Sequence, residues 1–296
     1  MELLTAIATG TLFGIAIFSG FYTVPLYTMI QERTPKESRS RVVAGNNILN
    51  ALFMVVSAGM LIGFAASGLS APLIYLVLGL MNAAVALFIY DTIPEFWLRF
   101  LIWMLVKVLY RARLRGEQHI PTSGAAVVVA NHVTFVDWMF LAAACPRPAR
   151  FVMYHAYFKM PVIGRLFRDA KVIPIAPAHE DQDTMDAAFD RIAAELNEGE
   201  LVVIFPEGKL TKDGQMNPFR TGIERIVSRT PVPVIPVALV GLWGSFFSKA
   251  KGRGARGLRS RVELVVGDPI PAPSVSAPAL ATAVAALGSF TPPPAA

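Results

Sequence analysis

Hydrophobic positions divide the chain into two regimes. Over residues 3–30, 42–66 and 73–90 they run almost without interruption, separated by a charged loop from Gln31 to Arg41 and by the uncharged link 67–72. A helix crosses a bilayer with about 17 to 25 apolar residues, so residues 1–92 are predicted to form three transmembrane helices. The polar pair Asn46–Asn47 interrupts the second run, and amides inside a span usually face another helix. From about residue 115 to 272 the pattern changes to short apolar runs alternating with helical ones. Strands are predicted over 125–130, 149–154, 171–175, 201–205, 232–239 and 261–266, and helices over 136–144, 158–167, 184–197 and 221–229. In the helix 184–197, Met185, Phe189, Ile192, Ala193 and Leu196 recur at helical spacing, with Asp183 as N-cap and Gly199 past the end. Such alternation predicts one α/β domain with its own core over residues 117–272.

Two stretches join these regimes to their surroundings. Pro94 separates the third apolar run from residues 96–110, which are apolar, carry Trp97 and Trp103, and are bounded by arginines. That run is short for a span, so residues 93–116 are predicted to be an amphipathic helix lying in the membrane interface with its cations snorkelling. A fourth transmembrane helix is the alternative, and it would strand the cluster Arg111, Arg113, Arg115 on the far side. Residues 273–296 are rich in Pro, Ala and Ser and are predicted to be disordered apart from one short Ala-rich helix.

Composition supports a membrane setting. Of the 296 residues 54% are hydrophobic and only 16% charged, with a mean hydropathy of +0.51, too apolar for an ordinary soluble chain. The net charge of +6 and pI near 9.6 point to anionic lipid head groups and away from nucleic acid as partner. Arg33, Lys36, Arg39 and Arg41 place the first loop in the cytoplasm, which puts the N-terminus outside and everything after Tyr90 inside. A single cysteine, Cys145, excludes an internal disulfide and fits a buried residue in a reducing compartment. His119, His132, His155 and His179 show no close ligand spacing, so neither a metal nor a bound cofactor is predicted.

The chemistry centres on Asn131-His132-Val133-Thr134-Phe135-Val136-Asp137, between the strand 125–130 and the helix that follows. A turn there brings the Asp137 carboxylate back to one imidazole nitrogen of His132 and leaves the other to accept a proton from a substrate hydroxyl. A polar turn with an Asp cap fits the same residues. In a second stretch the strand 201–205 ends at Pro206 and delivers Glu207, Gly208 and Lys209 to a loop, where Gly208 lets backbone amides approach an anion and Lys209 supplies positive charge. An ordinary tight turn with a solvated charge pair is the plainer reading. In a third, Lys171 opens the strand 171–175 and, with Arg168 before it, is a further candidate for a phosphate, although a solvated lysine at a strand start is commoner. Gly252-Arg253-Gly254-Ala255-Arg256-Gly257 fits G-x-G-x-x-G but follows no strand and opens no helix, so it reads as a basic loop near anionic lipid. No G-x-S-x-G occurs, which favours a histidine acting on an external hydroxyl over one serving an enzyme nucleophile.

Together these stretches resemble the glycerolipid (lysophospholipid) acyltransferase family. Its N-H-x-x-x-x-D motif matches Asn131, His132 and Asp137; its F-P-E-G-[TRK] motif matches Phe205 to Lys209; its V-P-[VI]-x-P-V run matches Val232 to Val237. The resemblance covers about residues 96–271 and implies a mixed sheet flanked by helices. It also implies His132 and Asp137 as catalytic pair, and Glu207, Gly208, Lys209, Lys171 and Arg168 as candidates for holding the acceptor. Acyl carrier protein or coenzyme A thioester would be the donor, and a lysophospholipid the acceptor. Many members place an arginine after the second-motif strand for the acceptor phosphate; here Ala176-Pro177-Ala178-His179 follows instead. That departure favours 2-acylglycerophosphoethanolamine over 1-acylglycerol-3-phosphate. Residues 39–51 resemble the end of a major-facilitator lysophospholipid transporter of the kind fused to such acyltransferases. That implies a multi-pass protein of the bacterial inner (cytoplasmic) membrane with its catalytic domain on the cytoplasmic face, and a donor that arrives already activated. A hydrolase using the same His–Asp pair and a non-catalytic lipid-binding transporter remnant are the competing readings.

Overall fold

The computed structural model describes residues 2–92, 94–248 and 259–293. The chain divides into two compact units, Met1–Ile89 and Tyr90–Ala296. The first holds α1 (Glu2–Arg33), α2 (Arg39–Ala66) and most of α3 (Ala71–Thr92). Two segments, Arg39–Ala66 and Ala71–Ile89, are long and apolar enough to cross a membrane. α2 buries none of its residues, and Ile48, Phe53 and Ile62 all stand exposed. Three spans were predicted; in α1 the described apolar stretch is only Thr9–Gly20, shorter than a span. The amide in the second run does face a neighbouring helix: Asn46 and Asn50 donate to the Tyr27 hydroxyl of α1 at 3.2 and 2.8 Å.

In the second unit α4 (Pro94–Leu109) runs directly into β1 (Tyr110–Arg115). There follow β2 (Ala126–Ala130), α5 (Asp137–Ala144), β3 (Ala149–Tyr154), α6 (Pro161–Asp169), β4 (Ile173–Ile175) and α7 (Gln182–Asn197). The chain then forms β5 (Leu201–Ile204), α8 (Gly222–Arg229), β6 (Val234–Val240), β7 (Ser260–Val266) and α9 (Ala277–Gly288). The seven strands form one sheet in the order β1-β7-β6-β2-β5-β3-β4. β2 is parallel to β5 and β6, β3 to β5 and β4, and β1 to β7, while β7 is antiparallel to β6. The sheet is therefore mixed, with helices on both faces. β2 shows why its sequence is apolar throughout: Val127 and Val129 pack with α7, α8 and α9, whereas Ala126, Val128 and Ala130 pack with α4 and α5. A central parallel strand covered on both faces needs continuous rather than alternating hydrophobicity.

Two expectations change, and the short Ala-rich helix of the tail is present. Arg111, Arg113 and Arg115 do not trail an interfacial helix: they are the outward positions of β1, alternating with Tyr110, Ala112 and Leu114, in parallel register with Ser260 to Val265. The α/β unit thus begins before residue 117. Its helix α4 buries Ile102 and Val106 against the core and leaves Leu101, Trp103, Leu105 and Val108 exposed. The stretch after 273 is ordered in its Ala-rich part: α9, capped by Ser276, buries Ala277, Leu280, Ala281, Val284 and Ala285 against the sheet. The spacing of those five positions is that of one helix face, and it outweighs the Pro-rich flanks. The cap of α7 is Asp181, whose carboxylate accepts from the Thr184 amide, not Asp183. The glycine-rich loop 252–257 lies outside the described residues.

Candidate active site

β2, β5 and β6 point their C-terminal ends to the same edge of the sheet, and the residues that follow them build one site. His132 sits two residues past β2, with 22% of its side chain exposed, and its Nδ1 lies 2.9 Å from Asp137 Oδ2. The Asp137 carboxylate is fully buried and also accepts from the Val133 amide at 2.5 Å, the Thr134 amide at 2.9 Å and the Thr134 hydroxyl at 2.6 Å. A carboxylate so surrounded accepts the imidazole proton at Nδ1 and leaves Nε2 as the acceptor. Phe205 stacks on the imidazole, centroids 4.2 Å apart and planes 16° from parallel. Asn131 fixes the end of β2 by mimicking a peptide unit: its amide donates to Leu239 O at 3.1 Å and its oxygen accepts from Leu239 N at 2.7 Å, on β6.

Glu207 does something the sequence reading did not assign. It is buried; one carboxylate oxygen accepts from the His132 amide at 2.7 Å, the other from the Asn217 amide and side chain, each at 2.7 Å. Burial raises its pKa, opposed by the donors from His132 and Asn217. Both oxygens accept hydrogen bonds from within the fold, so Glu207 acts as a strut beneath His132. The Thr211 amide donates to His132 O at 3.0 Å, completing the join between the two loops. Gly208 has a φ of +65°, and its amide donates to Phe205 O, so it does not offer that amide to an anion. The left-handed backbone favours glycine at 208, and the Arg220 guanidinium lies where a Cβ would project, within 2.8 Å of it. Arg220 and Asn217 went unnoticed in the sequence, since they belong to no motif quoted for the family.

The remaining candidates scatter. Lys209 is exposed on the same loop as Glu207. Arg168 and Lys171 precede β4, three strands away from β2. Since β4 runs parallel with β2 through β3 and β5, they lie at the end of β4 away from the edge that carries His132. Lys171 holds a left-handed backbone, φ +52°, in the turn that ends α6. A shallow cleft beside His132 is lined by Thr211, Gln215, Leu242, Trp243 and Phe290. Phe290 follows α9, so the C-terminal stretch contributes to the site. An apolar cleft among α4, α5, β3 and α6 is lined by Leu98, Ile102, Trp138, Phe151 and Phe167.

His132 bonds with Asp137, Glu207 and Thr211, and among the described residues no serine joins them. Burial pushes the Cys145 thiol up to about 12, so it is not a thiolate nucleophile. Among the described residues no group of three or more His, Cys, Asp or Glu side chains is placed to hold a metal ion. The geometry is that of a histidine hydrogen-bonded to a buried carboxylate, at the C-terminal edge of a helix-flanked mixed sheet. Residues 111–240 match the family model described as Acyltransferase. A chloroplastic 1-acyl-sn-glycerol-3-phosphate acyltransferase of Brassica napus is 27% identical over 174 residues, 57% of this chain and 48% of the relative. A 1-acyl-sn-glycerol-3-phosphate acyltransferase named for Caenorhabditis elegans as putative is 28% identical over 137 residues, 45% of this chain and 47% of the relative. The chain thus spans about half the length of the curated relatives it matches. The crystal structure of the 1-acyl-sn-glycerophosphate acyltransferase PlsC from Thermotoga maritima shares the fold, with a TM-score of 0.52 and 22% identity over 64% of this chain and 77% of that one.

Proposed function

We propose that the protein transfers a fatty acyl group from an acyl thioester to the free hydroxyl of a lysophospholipid at a membrane surface. The observation that carries this reading is the His132–Asp137 pair, 2.9 Å apart, with Nε2 left to accept a proton. His132 takes the proton of the acceptor hydroxyl as its oxygen attacks the thioester carbonyl. The tetrahedral intermediate collapses with cleavage of the carbon–sulfur bond, and the departing thiolate recovers the proton from the imidazolium. No covalent acyl-enzyme is required. The amides of His132, Val133 and Thr134 already face Glu207 and Asp137, so the donors that hold the oxyanion come from elsewhere in the loop or from the substrate side. The apolar cleft lined by Trp138 suits an acyl chain.

The relatives' names favour lysophosphatidate as acceptor, whereas the missing arginine after β4 favours lysophosphatidylethanolamine; acyl carrier protein and coenzyme A both remain suitable donors. The exposed apolar face of α4 and the two span-length helices favour a bilayer partner. In this reading residues 1–92 are the last spans of a transporter-like region in a bacterial inner membrane, and the catalytic unit is cytoplasmic.

The test is acyl transfer by the purified chain in detergent micelles, with labelled acyl carrier protein or acyl-coenzyme A and a panel of lysophospholipids. His132→Ala should lower turnover by about a hundred- to ten-thousandfold. Undiminished turnover in that variant would overturn the mechanism, and acyl release without any acceptor would favour a hydrolase.

A further inference from the structure

The acceptor of this reaction carries its phosphate within a glycerol's length of the hydroxyl that reaches His132. A cation must therefore stand close to the C-terminal edge of β2, and Lys171 and Arg168 do not. We infer that the Arg220 guanidinium is the phosphate contact of the acceptor site, a role that rests on the acyl-transfer reading above. Its ligand class is a glycerol phosphate ester, and a monoester, with the higher charge, should bind best.

Three observations place it there. The Arg220 amide donates to Pro206 O at 2.9 Å, so its backbone is tied to the residue before Glu207, the strut under His132. Its side chain lies over Gly208, where any Cβ would displace it. It is exposed, and among the described residues no hydrogen bond or ion pair engages its guanidinium. Its neighbours differ: Arg225 and Arg229, on the helix that follows, pair with Asp186 and Asp190 at 2.7 and 2.6 Å. Arg147 and Arg150 are likewise engaged by carbonyls and carboxylates. A guanidinium at this edge of the sheet that is left without an anion can make a bidentate contact with phosphate oxygens. Lys209, on the same loop, adds charge. The arginine that the resembled family carries after its second-motif strand is thus replaced from another loop at the same edge.

Binding of labelled lysophosphatidate to the full chain in detergent micelles tests this without turnover, with monoacylglycerol as the ligand that keeps the hydroxyl and lacks the phosphate. Arg220→Gln should weaken lysophosphatidate binding about ten- to a hundredfold, leave monoacylglycerol unaffected and keep the unfolding midpoint. Arg220→Lys should recover part of the loss, because charge survives and the fork does not. In transfer assays the same variants should raise KM for lysophosphatidate with kcat little changed. Equal lysophosphatidate affinity in wild type and Arg220→Gln would overturn the inference, as would equal loss for both ligands. Wild-type binding that depends on Arg220, in a protein that transfers no acyl group, would sustain the phosphate site and overturn the acyl-transfer reading.

Discussion

The two ends of the sheet treat charge in opposite ways. At the N-terminal ends of β3 and β5, charged groups are buried and saturated. Arg150 lies 2.9 Å from Glu195 and 3.2 Å from Glu200, Arg191 closes on the other oxygen of Glu195, and Arg147 donates to the carbonyls of Pro121, Gly124 and Gly199. At the C-terminal ends of β2 and β5, two buried carboxylates are saturated as well, but by backbone amides, one imidazole, the Thr134 hydroxyl and the Asn217 side chain. They hold the loop that carries His132, and among the described residues no ion pair engages the nearby Arg220. The first arrangement can only support the fold. The second leaves an imidazole nitrogen and a guanidinium facing outward, as a site for a hydroxyl and a phosphate requires.

Replacing the carboxylate at the chemical end should have the largest effect. Asp137→Asn keeps the shape but turns an amide group toward donors. Its NH2 cannot accept from His132, Val133 and Thr134 as the carboxylate does, and the imidazole loses the partner that fixes its tautomer. Turnover should fall by about a thousandfold, or roughly 4 kcal/mol of barrier, in a steady-state assay with saturating thioester. A loss under tenfold would mean that Asp137 is a turn carboxylate like any other.

At the opposite end the same kind of change should appear in stability and not in chemistry. The Arg150 and Glu195 side chains are 5% and 4% exposed. Arg150→Met leaves Glu195 buried with Arg191 alone, and breaking such a pair costs about 3 kcal/mol. Chemical denaturation should show that loss, while kcat per folded molecule stays at the wild-type value. A drop in kcat at low denaturant would join the two ends, which the structure keeps apart.

The same division governs what could be read from the chain alone. His132 and Asp137 were readable because five residues of local turn bring them together. β2 and β5 were readable because buried parallel strands are apolar throughout. The roles of Glu207 and Arg220 were not, since each depends on the loop after β5 reaching beneath a loop that begins 75 residues earlier at His132. β1 went unrecognised although Tyr110, Ala112 and Leu114 alternate with three arginines. That period-2 pattern was outweighed by the apolar helix before it, whose cations were read as a membrane-facing cluster. Lys171 shows the converse: a basic residue at a strand start looks available in sequence, and only the direction of the strand shows toward which end of it the residue lies.

Glu207→Gln sharpens the comparison with a smaller effect. Gln keeps one acceptor oxygen where the carboxylate offers two, so either the His132 amide or Asn217 loses its partner. An unsatisfied buried group costs about 1–3 kcal/mol. Thermal unfolding should register about 2 kcal/mol, and turnover should fall with KM for a neutral acceptor such as monoacylglycerol unchanged. A KM effect restricted to phosphate-bearing acceptors would instead make Glu207 part of the head-group site.

The smallest effect is expected where the sequence placed a phosphate contact and the structure does not. Arg168 and Lys171 are exposed, and they precede β4 instead of following it. With strands parallel from β4 to β2, a substrate at Nε2 of His132 would have to cross the width of three strands and pass to the other end of β4 to meet them. Surface substitutions away from a site change stability by about 0.5 kcal/mol or less. Lys171 has a further local reason to be dispensable as a ligand: its left-handed backbone serves the turn out of α6, so Lys171→Gly should preserve that turn while removing the charge. The pair Arg168→Gln and Lys171→Gly, combined in one chain, should leave KM for lysophosphatidate within a factor of about two (about 0.4 kcal/mol) of wild type. A tenfold rise in KM for the combined variant, with Arg220→Gln silent, would move the acceptor phosphate to the β4 side and with it the whole orientation of the substrate across the sheet edge.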